Sequence, residues 1–294
     1  MTTVTIPELH VGRGFQVGPL TVFPVWASAP AVPGLVTGTA ADIEVAERDG
    51  SPVVAELIVT NVGEQAALLL EGELLEGGWQ HRTLLHDVIL RPSTTMVASV
   101  ACVEAGRWQG GGTHVRRARR ASGGTRASMR TGDPALQQQA VWSRVSSYDR
   151  AMGASHTSSY LDHLDGVATG ALVTEIPILD GQRGVIVGLG GQPVLLEVFP
   201  CQEALAAALP SLLAGLMVDA VSSGAPDVVT PGRRARRMVE RLDGRRTTRA
   251  RGVDAGDAVP LVLETEYAAL HGVTLDEEWA HLSAFNRRHP LVAV

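Results

Sequence analysis

Residues 71–82 read EGELLEGGWQHR: two glutamate-bearing, leucine-rich turns of chain, a Gly-Gly pair, then a run of indole, amide, imidazole and guanidinium. The flanks are apolar (AALLL before, TLLHDVIL after), so the stretch reads as two strands joined at a tight turn. With Gly77 and Gly78 as the two central turn residues, Leu75 faces Gln80, Leu74 faces His81 and Glu73 faces Arg82. Side chains alternate along a strand, so one face carries Glu71, Glu73, Gln80 and Arg82. That face is either a solvated salt-bridge ladder or one wall of a site.

Working outward, PLTVFPVW, PVVAELIVTN and TMVASVACVE are further β-rich runs, punctuated by NVGEQ and RPST. Connections this short join antiparallel neighbours, because a parallel crossover needs about a dozen residues. Residues 1–109 are therefore expected to be an antiparallel meander, one layer of a sandwich. The next strand ends ACVEAGRWQGG, which brings Glu104, Arg107 and Trp108 to the end of the sheet that carries Gln80 and Arg82. Residues 110–132, with six arginines among glycines and serines, predict a mobile connection.

Over residues 133–294 the pattern turns to α+β. Asp133 and Pro134 open a helix that Gly153 closes, with Leu136, Ala140, Trp142, Val145 and Met152 at helical spacing. GVIVGLGGQPVLLEVF is a second Gly-Gly hairpin, with Val185, Val187 and Leu189 on one face. An Ala- and Leu-rich helix follows, which Pro210 is expected to bend or split. A basic helix at 233–242 leads to VPLVLETEYAAL and EEWAHLSAF, two strands returning to the sheet. The fold class is α+β, with a large antiparallel sheet or sandwich component, its few helices in the C-terminal half and its two halves packed as one unit.

Bulk numbers narrow the function classes. The chain has 294 residues, 45% of them hydrophobic, which suits a globular protein rather than a disordered one. No uninterrupted apolar run approaches the roughly 18 residues of a membrane span, and the first residues lack a secretion signal. The two cysteines, Cys102 and Cys201, form no disulfide framework, so a reducing, cytoplasmic setting is expected. Net charge is −6, all 25 basic residues are arginine, and 15 of them fall in two short segments. Neither segment is interleaved with aromatics, so nucleic acid is not the expected partner. The histidines show no zinc spacing, so no metal is expected, and nothing indicates a cofactor or an oligomeric state. Cys102 lies among apolar residues and reads as core.

The pair EGELLEGGWQHR and VASVACVEAGRW resembles the motif pair of an uncharacterised bacterial family, the ARPP domain, named for its association with ADP-ribosylglycohydrolases and rhodanese-phosphatase proteins. The matching positions are Glu71, Gly72, Glu73, Gly78, Gln80, Arg82, Cys102, Glu104, Gly106, Arg107 and Trp108. His81 departs from the asparagine usual there. The resemblance implies ADP-ribose or NAD-linked metabolism and leaves the reaction open. Joined to the residue chemistry, it gives an expectation of a small-molecule site for a phosphate-bearing nucleotide. Glu73 or Glu104 would act as general base of a hydrolase or lyase, and Arg82 and Arg107 would grip the anion. Glu71, Gln80, Trp108 and His281 would complete the lining. The alternative is a non-catalytic binding or scaffold protein whose polar cluster is structural.

Overall fold

A computed structural model describes residues 3–48, 50, 53–130, 134–167 and 176–293. The chain opens with β1 (Leu9–Val11), β2 (Phe15–Val17), β3 (Leu20–Ala27) and β4 (Leu35–Val36). Then come β5 (Ile43–Ala46), β6 (Glu56–Asn61), β7 (Ala66–Leu69), β8 (Glu73–Gly77), β9 (Arg82–Leu84) and β10 (Val88–Leu90). Two longer strands, β11 (Thr95–Cys102) and β12 (Thr113–Arg120), precede the helices α1 (Gly123–Ser128), α2 (Pro134–Met152) and α3 (Tyr160–Gly166). The hairpin β13 (Gly184–Leu189) and β14 (Gln192–Val198) leads to α4 (Gln202–Ser223) and α5 (Gly232–Glu240). The chain ends with β15 (Thr248–Arg249), β16 (Val259–Glu264), β17 (Ala268–Leu275) and β18 (Glu278–Asn286). This is an α+β fold dominated by antiparallel sheet.

Strands β11-β6-β5-β12-β8-β9 close into a barrel, so the first half is not the expected meander. Val45, Leu57, Val59, Leu75, Leu84, Ala98 and Val100 fill the interior. A small sheet, β10-β7-β4, contributes Leu69, Val88 and Leu90 to the same cluster. Asn61 ties that sheet to the Thr95 end of the barrel by donating to the carbonyls of Gln65 and Leu90. The other end of the barrel, where β11 finishes at Cys102, is left to the motif residues.

A nine-stranded sheet runs β1-β3-β13-β14-β18-β17-β16-β15, with β2 on β3. It draws β1–β3 from the front of the chain, so the sheets do not divide the chain at 110–132. Within that stretch, Thr113–Arg120 is a barrel strand paired with β5 and β8, and Gly123–Ser128 is a helix. A sequence of six arginines reads as solvated, but Arg120 and Arg126 are fully buried, both held by the carboxylate of Glu197 on the distant β14. On α2 the buried face is Val141, Val145 and Tyr148, while Leu136 and Trp142 are exposed; Asp133 lies outside the described residues. Helix α4 stays continuous through Pro210. Proline and Ala206, whose carbonyl loses its donor, are both on the exposed side, where water can take that carbonyl. Among the described residues α4 is the one helix long and apolar enough to cross a membrane; 67% of its apolar window is buried inside the fold.

Candidate functional site

At the open end of the barrel the hairpin does not turn at Gly77-Gly78. Leu74 pairs with Thr83 and Leu75 with Arg82, two residues out from the expected register, which puts Gly78 and Trp79 at the tip. The cause is local. The imidazole of His81 accepts the Gly77 N–H through Nδ1 at 2.9 Å, Gly78 donates to the Thr113 carbonyl, and Trp79 donates to Glu47. Gly78 has φ +56°, and a Cβ there would lie 2.1 Å from the His114 ring. A side chain is excluded at that position on both counts. Glu73 therefore does not meet Arg82. Its carboxylate pairs with Arg116, 2.6 Å away on β12.

Glu104 and Arg107 close on each other. The Arg107 Nη2 donates to Glu104 Oε2 at 2.7 Å and its Nε lies 3.0 Å from both carboxylate oxygens. The remaining guanidinium hydrogens go to the carbonyls of Gly77, Gly78 and Gln109. Glu104 also accepts from the His81 N–H and the Thr157 hydroxyl. Burial works to raise the Glu104 carboxyl, but the bonds from Arg107, His81 and Thr157 outweigh it and hold it below the usual range. A carboxylate so stabilised in its ionised form is a weak proton acceptor. This pair clamps the hairpin tip to the end of β11. Burial pushes the Cys102 thiol up, and its Sγ–H is spent on the Glu104 carbonyl and Gln80, consistent with a core role.

Arg82 differs. It has no exposed surface, yet only Nη1 finds a hydrogen-bond partner, the Gln80 amide oxygen at 3.2 Å. Nε and Nη2 have none among the described residues. The guanidinium lies 5.7 Å from the ring centre of Trp108, which is 45% exposed and meets Trp79 edge-on at 5.5 Å. Glu47 nearby is bonded through one oxygen to Trp79 and His114, and its other oxygen is unpartnered among the described residues. A buried donor left without an acceptor costs roughly 1–3 kcal/mol, more when charged. The barrel mouth thus gathers Gln80, Arg82, Glu104, Arg107 and Trp108, with a buried cation that has one hydrogen-bonded nitrogen among the described residues.

Glu71 and His281 go elsewhere, into an ion network between the barrel and the nine-stranded sheet. Glu71 takes Arg130 at 3.0 Å, Arg126 at 3.5 Å and His271 at 3.4 Å. Glu197 on β14 takes Arg126 at 2.5 Å and Arg120 at 2.8 Å. His281 bonds Asp87 at 2.7 Å and stands 3.7 Å from Glu197. Burial works to raise both Glu71 and Glu197, but their arginines hold each well below the usual carboxylate range. Burial works to lower His281, and Asp87 and Glu197 outweigh it. A half-open cleft of about 40 Å³ at this network is lined by Glu71, His86, Asp87 and His271. That volume holds a few water molecules, not a nucleotide. Gly72 (φ +83°) belongs here too, because a Cβ would lie 2.6 Å from the Arg126 side chain.

Sequence reasoning missed Asp87, Glu197, Arg126, Arg130 and His271, whose ion-pair partners lie far away in sequence and carry no local spacing. Glu47 and His114 at the barrel mouth were missed for the same reason. Among the described residues no group of three or more His, Cys, Asp or Glu is placed to hold a metal ion.

With the motif residues located, the comparison with known families is direct: the model of the ARG and Rhodanese-Phosphatase-superfamily-associated Protein domain matches residues 8–285. The chain belongs to this family. The match spans the barrel and nearly all of the nine-stranded sheet, so the ARPP domain is the whole architecture rather than a module within it. No curated protein and no solved structure matched.

Proposed function

We propose that this ARPP domain binds a phosphate-bearing nucleotide, of the kind an ADP-ribose derivative represents, at the mouth of its barrel. The observation that supports the reading is Arg82: a buried guanidinium whose Nε and Nη2 are unmatched among the described residues, beneath a half-exposed indole. A phosphate oxygen pair is the acceptor that such a fork fits. Trp108 and Trp79 supply flat apolar surface for a base, and Trp108 must swing aside for a ligand to reach Arg82. Glu104 and Arg107 then serve as positioning residues that fix the loop carrying Trp108. The family's name, which associates it with ARG proteins, agrees with an ADP-ribose ligand.

The rival is a non-catalytic scaffold with a structural polar cluster, and Arg107 favours it, because every hydrogen of that guanidinium is already bonded within the chain. Titration calorimetry with ADP-ribose, ADP and ribose 5-phosphate separates the two. The binding reading expects saturable binding that Arg82→Gln weakens at least about tenfold and Arg82→Lys partly restores. Heat that both variants leave unchanged, or no heat at all with intact protein, supports the scaffold.

A further inference from the structure

On the far side of the nine-stranded sheet, a cleft of about 260 Å³ opens where α5 crosses the ends of β14, β17 and β18. Its lining includes Arg234, Arg237, Arg241 and Arg288, the ring of Tyr267 and the amide of Asn286, and contains no acidic residue. The chain as a whole is at −6, so this concentration of positive charge runs against the overall balance.

The partners of these arginines are few. Arg234 donates to the neutral carbonyl of Gly191 at 2.6 Å. Arg237 makes no side-chain hydrogen bond or ion pair among the described residues. Arg241 lies over the Tyr267 ring at 3.8 Å from its centre, and Arg288 lies over the same ring at 4.1 Å. Two guanidinium planes do not fit on one face of a phenol at those distances, so they sandwich it. Of the four, Arg288 is the one with a carboxylate partner among the described residues, that of Glu266.

Arg237 and Arg241 stand four apart on successive turns, a spacing at which like charges repel. A solvated helix face would pair such residues with acids; Arg237 is exposed and Arg241 half-buried, and neither has an acidic partner among the described residues. Here α5 turns Arg233 and Arg236 away from the cleft and brings Arg234 and Arg237 into it, beside two arginines that an aromatic ring holds in place. Rings used this way fix the orientation of guanidinium groups by cation–π attraction.

We propose that this cleft is an anion site for a ligand carrying a chain of phosphates, recognised through a pyrophosphate group. With both faces of Tyr267 occupied, the cleft offers no stacking surface for a base. Its volume lies below the ~300–1,000 Å³ of pockets that enclose a drug-sized ligand. The phosphate chain is therefore what it holds, with the rest of the ligand outside. The site is separate from the barrel mouth and does not depend on it.

The test uses inorganic pyrophosphate and tripolyphosphate as probes of the full chain by titration calorimetry. Saturable binding is expected, tighter for tripolyphosphate and weakening steeply with salt. The double variant Arg237→Gln/Arg241→Gln should lower affinity at least about tenfold, as loss of charge-assisted hydrogen bonds does. A control with the same charge change outside the cleft, Arg233→Gln/Arg249→Gln, should alter it less than about twofold. Circular dichroism confirms that both double variants are folded. Equal losses in the two double variants, an absence of binding, or duplex DNA bound as tightly as tripolyphosphate would each overturn the assignment.

Discussion

Replacing Glu197 by glutamine should destabilise the fold by about 3–5 kcal/mol, the range for breaking a buried ion pair from one side. Glu197 has no exposed surface, and its carboxylate neutralises Arg126 at 2.5 Å and Arg120 at 2.8 Å while facing His281 at 3.7 Å. Glutamine keeps one acceptor oxygen of two and no charge. It therefore leaves at least one guanidinium uncompensated where β14 meets the barrel. Domain stabilities are roughly 5–15 kcal/mol, so the loss is a large share of the total. Urea denaturation followed by tryptophan fluorescence should show a lower midpoint with an unchanged slope. The melting temperature should fall by about 6–10 °C, at roughly 2 °C per kcal/mol for a chain of this size class. Arg126→Gln should be strongly non-additive with it, since the two groups share one bond. A loss under about 1 kcal/mol would refute the view that this network joins barrel to sheet.

The pH dependence should have two limbs. His281, raised above its ordinary 6.5, contributes stability that is fully present below that value and lost as pH rises through its folded pKa. Asp87, which burial works to raise but His281 holds below its ordinary 3.8, contributes stability present above that value and lost as pH falls through its folded pKa. His281→Asn should flatten the alkaline limb in urea titrations, and an unaltered limb would assign it to other groups. If Glu104 and Arg107 are a clamp, Arg107→Ala should lower stability by about 1–3 kcal/mol, because a buried carboxylate loses its cation; no measurable change would return the pair to a site role. Cys102 should react slowly with a thiol reagent in the native protein and at once in urea, and a fast native reaction would contradict its burial.

Much of the strand content was legible because alternation and turn residues are local signals. The hairpin at 184–198 appears as expected, with Val185, Val187 and Leu189 in one core cluster and Ile186 in another. The first hairpin was legible as a hairpin but not in register, since His81 and Glu47 hold the tip and no two-residue turn rule includes them. The barrel was not legible at all: closing it requires β12, whose arginines look like a solvated loop until Glu73, Glu76 and Glu197 are seen to receive them. At the candidate site, Gln80, Arg82, Glu104, Arg107 and Trp108 do come together, as their place at one sheet end implied. Glu71 and Glu73 share a strand face on paper and separate in space, because a turn at Gly72 lies between Glu71 and β8. His281, expected to line the same site, instead bonds the distant Asp87, a pairing that spacing cannot express.

Arg82 carries the functional proposal, and titrating ADP-ribose into the intact protein beside Arg82→Gln and Arg82→Lys tests it most directly. Saturable binding is expected for the intact protein, with a change in tryptophan fluorescence as Trp108 moves. The glutamine variant, folded by circular dichroism, should lose at least about tenfold in affinity, the scale of one charge-assisted hydrogen bond, and the lysine variant should fall between. Affinity that is the same in all three proteins would contradict a ligand at the barrel mouth and leave Arg82 as an unsatisfied structural cation.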